Sequence, residues 1–156
     1  MKLRHSLFVG LVAAFTVSLA IAAVGAGAAE TPFKGKVSAV ETGSTVLPFR
    51  SITREGTGNA TYLGSFKERV TMVIDVRILH GIGSATFTAA NGDTLSASVD
   101  GQATRTGPTT LSIVENYTIT GGTGRFADAT GNFALNSNVD QVTGVSSGTF
   151  SGAIDQ

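Results

Sequence analysis

Two glutamates offer the most direct chemistry in this sequence. Glu68 lies between Phe66 and Val70, and Glu115 between Ile113 and Tyr117, in runs where apolar residues recur at every second position. Period-2 alternation places residues of one parity on one face of a strand. Both carboxylates therefore share the face of their apolar neighbours. Burial raises the pKa of a carboxylate unless a cation or hydrogen-bond donors compensate, and such a group can serve as a general acid or base. Two readings stay open. Glu68 and Glu115 are acid–base groups lining a cavity, or they are structural, turned outward by a bulge or paired with Arg54, Arg69 or Arg105.

Other constellations carry less. His80 stands beside Gly81 and is the one histidine beyond the N-terminal segment. A Ser-His-Asp triad would need it as the base, and it reads as a loop residue. A zinc site draws on several histidines or cysteines, and the chain has no cysteine. Asp93, Asp100, Asp128 and Asp140 are scattered, without the spacing of a calcium loop. Neither a metal nor a cofactor is called for. Gly122-Thr-Gly124-Arg-Phe-Ala127 matches the G-x-G-x-x-A form of a dinucleotide fingerprint. That motif works only where a helix N-terminus comes next to hold the pyrophosphate, and the residues after Ala127 alternate as a strand. Asn59-Ala-Thr61 and Asn116-Tyr-Thr118 fit the N-glycosylation pattern.

The elements that must position these residues centre on Tyr117 to Leu135. Leu111, Ile113, Tyr117 and Ile119 share one parity before a run of glycines, and Ala129, Gly131, Phe133 and Leu135 share one after it. Gly121, Gly122 and Gly124 supply a reversal, since glycine enters positive φ without steric cost. Phe126 falls on the opposite parity, so a bulge or twist is expected to turn it inward.

Ile119-Thr-Gly-Gly-Thr-Gly-Arg-Phe-Ala-Asp-Ala-Thr-Gly131 resembles the V-T-G-G-S-G-x-F-x-G-x-x-G signature of the allene oxide cyclase barrel. The plant dirigent proteins carry a related G-T-G-x-F-x-x-A-x-G. The resemblance implies a small eight-stranded antiparallel β-barrel with a central cavity. It assigns Gly121, Gly122, Gly124, Phe126 and Gly131 to a barrel corner rather than to chemistry. The wider group includes isomerases, stereochemical guides for radical coupling and many bacterial proteins of unknown role, and its members are often dimers or trimers. The cyclases use a barrel-lining carboxylate, to which neither Glu68 nor Glu115 is aligned.

From the N-terminus, Lys2 and Arg4 precede an uncharged apolar run from Leu7 to Val24, and Ala26-Gly27-Ala28 comes after it. This is the pattern of a secretory signal peptide over residues 1–28, with an uncleaved anchor as the alternative. Export or periplasmic localisation is expected. Residues 29–156 then form one domain, a size that buries roughly two-thirds of its unfolded surface. Acidic and basic residues balance over the whole chain. Losing Lys2 and Arg4 leaves the remainder slightly acidic, which disfavours nucleic acid as a partner.

Strands are expected over Phe33–Val40, Val46–Thr53 and Ala60–Ile78, with turns at Thr42–Ser44 and Gly56–Asn59 and a bend at Gly64. His80–Gly83 reads as a loop. Asn91-Gly92-Asp93 is expected to join the hairpin Ser84–Ala90 and Thr94–Thr104. Thr106–Thr109 is a further turn, and the last strand runs from Gly144 to Ile154. Many short strands without a helical period indicate a sandwich or a barrel, and closure removes the edges.

Small inward residues such as Ala85, Ala97, Gly101 and Ala103, and the absence of tryptophan, leave the interior either open or closely packed. If open, Tyr62, Phe87, Tyr117 and Phe133 line a cavity for a small apolar ligand. The functional expectation is an exported barrel that binds such a ligand or acts as an interaction module, alone or as a homo-oligomer. The alternative is a cyclase-like isomerase using Glu68 or Glu115.

Overall fold

A computed structural model describes residues 30–156. The expected signal peptide lies outside the described residues. Eight strands succeed one another: β1 (Thr31–Val46), β2 (Phe49–Ala60), β3 (Gly64–Asp75), β4 (His80–Ala89), β5 (Thr94–Arg105), β6 (Thr110–Gly122), β7 (Thr130–Asp140) and β8 (Val145–Asp155). Each pairs antiparallel with its sequence neighbours, and β8 closes onto β1. The protein is thus an all-β, up-and-down, eight-stranded closed barrel. The connections alternate between two ends. One end carries the β2–β3, β4–β5 and β6–β7 links, and the other carries β1–β2, β3–β4, β5–β6 and β7–β8.

The period-2 reading fixes which side chains face inward. Phe66, Glu68, Val70 and Met72 of β3 are buried, as are Glu115, Tyr117 and Ile119 of β6 and Phe133 and Leu135 of β7. The hairpin at Asn91–Asp93 stands where expected, with Gly92 at φ 90°. The break expected at Gly64 is a full reversal: Ala60 ends β2, residues 61–63 turn, and β3 starts at Gly64, at φ 71°.

Several element limits need correction. Thr42–Ser44 is strand rather than turn, and the reversal falls at Leu47-Pro48, joined by a cis peptide bond. Gly56–Asn59 also stays in β2. A Cβ at Gly58 would collide with the Phe66 ring, so this glycine makes room for an aromatic side chain and does not break the strand. β3 ends at Asp75, and Val76 and Ile78 belong to a turn completed by Leu79 at φ 55°. His80–Gly83 is not a loop but the start of β4.

The glycine corner after β6 is a single 3-10 turn, Gly124–Phe126, and Phe126 is fully buried by it. The register irregularity expected there sits one step earlier. Ser96 pairs with Gly121 and Ala97 with Ile119, which leaves Thr120 as the extra residue of a bulge. Gly124 has φ 57°, and the carboxylate of Asp93 occupies the space a Cβ would need. Gly131, at φ 131°, lies against the carbonyl of Ala153 in the same way. Gly131 therefore requires glycine for packing as well as for its φ, whereas at Gly124 the left-handed backbone is the stronger demand, because the Asp93 side chain can move.

Candidate functional site: a buried ion network beneath an open cavity

The two halves of the barrel interior are filled differently. Toward the closed end, Phe33, Phe66, Phe87, Tyr117, Phe133 and Phe150 form one aromatic cluster. Tyr117 and Phe133 stack in parallel at 4.5 Å, and Phe33 meets Phe133 edge-on at 5.1 Å. Phe133 also touches Phe87 at 5.8 Å and Phe150 at 5.1 Å between ring centres. Leu63, Leu95, Phe126 and Ile154 plug the end, all nearly fully buried. The Arg125 guanidinium lies 4.8 Å over the Phe126 ring and covers the plug from outside.

Next to the aromatic cluster sits a charged layer. Ile52 and Arg54 share a parity on β2, so Arg54 points inward and is only 2% exposed. β2 and β6 are four strands apart in a ring of eight, so the Arg54 side chain spans the lumen. Its Nη1 and Nη2 donate to Oε1 and Oε2 of Glu115 at 2.9 and 2.8 Å, a bidentate pair. Its Nε donates to Oε1 of Glu68 at 3.1 Å. Glu68 faces Gly56 and Arg54 faces Val70 across the β2–β3 ladder, which makes the pair diagonal neighbours on one face. The Tyr117 hydroxyl accepts from Arg54 Nη2 at 2.6 Å and donates to Glu115 Oε2 at 2.8 Å.

The charge count is unequal, with two carboxylates against one guanidinium. Glu68 Oε2 is buried and has no hydrogen-bond partner. Burial holds the Glu68 carboxyl above its usual range, against the pull of Arg54 and with the push of Glu115. Burial likewise keeps the Tyr117 hydroxyl protonated far above its ordinary value. Arg54 loses solvation but is held charged, its pKa well above normal, by Tyr117, Glu115 and Glu68.

On the far side of this layer the barrel is open. A partly enclosed cavity of about 160 Å³ is walled by apolar side chains including Ile52, Met72, Leu111 and Val139. Glu115 lies at its floor, and Glu41, Arg50, Arg105 and Gln141 supply its other polar groups. Glu41 pairs with Arg50 at 2.9 Å, and burial raises its pKa above the ordinary carboxylate value, with Arg50 and Arg54 pulling it back. Gly101 faces Glu115 across the β5–β6 ladder, so no side chain there competes for the space.

Of the ligand-lining candidates, none borders this cavity. Phe87, Tyr117 and Phe133 fill the opposite half, and Tyr62 leaves the interior altogether. It occupies the β2–β3 turn at φ 68° and is 45% exposed. Of the acid–base candidates, Glu68 and Glu115 both point inward and share Arg54, and only Glu115 reaches the cavity. The pairing of these glutamates with Arg54, rather than with Arg69 or Arg105, was one of the alternatives open in the sequence. Arg69 instead pairs with Glu55 on the outer surface.

His80 stands on β4 with Nε2 3.2 Å from Asp100, away from the cavity. Gly144-Val-Ser146-Ser-Gly148 has the G-x-S-x-G spacing of a nucleophile elbow, a motif that strand periodicity alone passes over. It leads into β8 and not into a helix, and β8 lies across the barrel from His80, so no triad forms. The G-x-G-x-x-A stretch likewise lacks a helix: the 3-10 turn is three residues long and β7 comes next. Among the described residues no group of His, Asp and Glu is arranged to hold a metal ion.

Comparison with known protein families, with curated proteins and with solved structures returns no match.

Proposed function

We propose that this chain is an exported binding protein for a small, mainly apolar molecule, held in the open end of the barrel. The observation that carries this reading is the cavity itself: about 160 Å³, walled mostly by aliphatic side chains, with a few polar groups converging on it. A cavity of about 150 Å³ holds a benzene-sized guest. The occupant is therefore one ring, or a branched chain of similar bulk, rather than a whole sterol. The apolar run and Ala-Gly-Ala of residues 1–28 support export.

A second reading, a cyclase-like isomerase, draws on Glu115 at the cavity floor and on the resemblance of Ile119–Gly131 to the allene oxide cyclase signature. The Glu115 geometry favours the binding reading. Both of its oxygens are engaged by Arg54, and Oε2 also accepts from Tyr117. These three bonds tie the carboxylate into the ion network and leave one lone-pair site, on Oε1, for a substrate proton.

The test is native mass spectrometry of the protein purified from its host's exported fraction, beside the Ala103→Phe variant, which fills the cavity from β5. A bound molecule of defined mass in the wild type, lost in the variant, is the expected result. A wild type that carries nothing, and binds no hydrophobic probe more tightly than the variant does, would overturn the reading. The same spectrum gives the oligomeric state and the first residue.

A further inference from the structure

We infer that the occupant of this cavity is a small organic anion, with its apolar body between Ile52, Met72 and Leu111 and its acidic group at Arg105. The inference rests on the ligand-binding reading above and adds a head group to it. Its basis is the balance of charges around the cavity wall. Two carboxylates line the cavity and each is matched: Glu41 by Arg50 at 2.9 Å, and Glu115 by both terminal nitrogens of Arg54.

Arg105 is not matched. It is the last residue of β5, lines the cavity at its mouth, and makes no ion pair among the described residues. Its Nη1 donates to the Pro108 carbonyl at 3.4 Å and to Gln141 Oε1 at 3.3 Å, both long bonds to neutral acceptors. Those two contacts steady the side chain and leave Nε and Nη2 without acceptors. Parallel N–H groups on a guanidinium edge grip a carboxylate through two bonds.

Gln141, from the β7–β8 link, lines the same mouth. Its amide nitrogen has no acceptor among the described residues and is a second donor for the same head group. A cationic ligand would use neither donor, and a neutral one would accept from them without the gain that a charge adds. An anionic ligand uses both and keeps its apolar portion on the aliphatic wall.

The experiment is ligand-observed ¹⁹F NMR titration of the purified protein with three probes of one shape: 4-fluorobenzoate, 4-fluorobenzamide and 4-fluorobenzylamine. They share a ring that suits the cavity and differ in charge. The benzoate is expected to bind about tenfold or more tighter than the other two, the range of a hydrogen-bonded charge. R105Q should remove most of that advantage, weakening benzoate far more than benzamide, and R105K should restore part of it. If R105Q fails to fold, the benzoate-to-benzamide ratio in the wild type decides alone. Equal binding of benzoate and benzamide, or benzoate binding untouched in R105Q, would overturn the anionic head group while the cavity reading stands. If no probe binds the wild type, or A103F binds all three equally well, the cavity reading fails and the head group with it.

Discussion

The two halves of the barrel interior share one ladder of strands and do opposite things with it. Toward the closed end, six aromatic rings form one cluster, four of them packed around Phe133, and a plug of Leu63, Leu95, Phe126 and Ile154 seals the lumen. Toward the open end, the inward positions carry smaller or polar side chains, and a cavity remains. The turns obey the same division. Val46, Leu47, Ile78 and Val142, the most exposed large apolar residues described, all lie at or beside open-end turns. The closed-end turns present mainly Thr61, Asn91, Gly92, Asp93 and Arg125 to solvent, with Tyr62 as the exposed large apolar residue among them. One half thus behaves as the folding core and the other as a vessel, and the Arg54 layer separates them. The contrast shows how a closed β-barrel can concentrate its packing energy in half its length and leave the rest for a guest.

The largest effect is expected where the halves meet. Arg54→Met removes the only cation from a layer that holds two buried carboxylates. Breaking a buried pair from one side costs about 3–5 kcal/mol, to be read from the midpoint of urea unfolding. Survival of this variant with near-wild-type stability would show that the layer is wet.

Phe133→Ala, at the centre of the rings, should cost about 3–5 kcal/mol by cavity formation. Ile113→Ala, beside the existing cavity, should cost less than half of that. Equal losses from the two would erase the distinction between core and vessel.

Glu68→Gln should have the opposite sign. Glu68 carries the unmatched charge, so a neutral side chain of the same shape is expected to stabilise by about 1 kcal/mol. The pH dependence comes from the raised folded-state pKa of Glu68. Its contribution is fully present below the unfolded value near 4.5 and is lost as pH rises through the raised folded value. Thermal unfolding across that interval should therefore show a decline in the wild type that E68Q reduces. Glu41, also raised by burial, contributes in the same direction.

The smallest effect is expected at the rim. Leu47→Ser and Val142→Ser should leave stability within about 0.5 kcal/mol of wild type, since both side chains are already more than three-quarters exposed.

Much of this architecture was legible in the sequence. Strict alternation through Phe66, Glu68, Val70 and Met72 placed Glu68 inward, and the same logic on β6 placed Glu115. Asn91-Gly92-Asp93 marked its hairpin because those residues tolerate the backbone a tight turn needs. Other glycines misled, because glycine also serves where two groups crowd. Gly43 lies against the Ser51 carbonyl and Gly58 beneath the Phe66 ring, and neither ends a strand.

The site was half visible. Two inward glutamates demand an inward cation, and Arg54 shares its parity with Ile52, so the pairing could have been read from β2. The aromatic candidates were drawn from inward parity, which says that a side chain enters the barrel but not how far along the axis it lies. That depth is set by the stagger of the strands, a long-range property, and it separates Tyr117 and Phe133 from the cavity.

The burial of Tyr117 has a spectroscopic consequence. The chain has no tryptophan and two tyrosines, and the other, Tyr62, stands in a solvent-facing turn. Tyr117 is stacked on Phe133 and hydrogen-bonded to a carboxylate. The tyrosine band of the near-ultraviolet circular dichroism and the change in tyrosine emission on unfolding should thus arise mainly from one residue, which touches both the aromatic core and the charged layer. A Tyr62→Phe protein would isolate that signal as an intrinsic reporter at the boundary between the two halves.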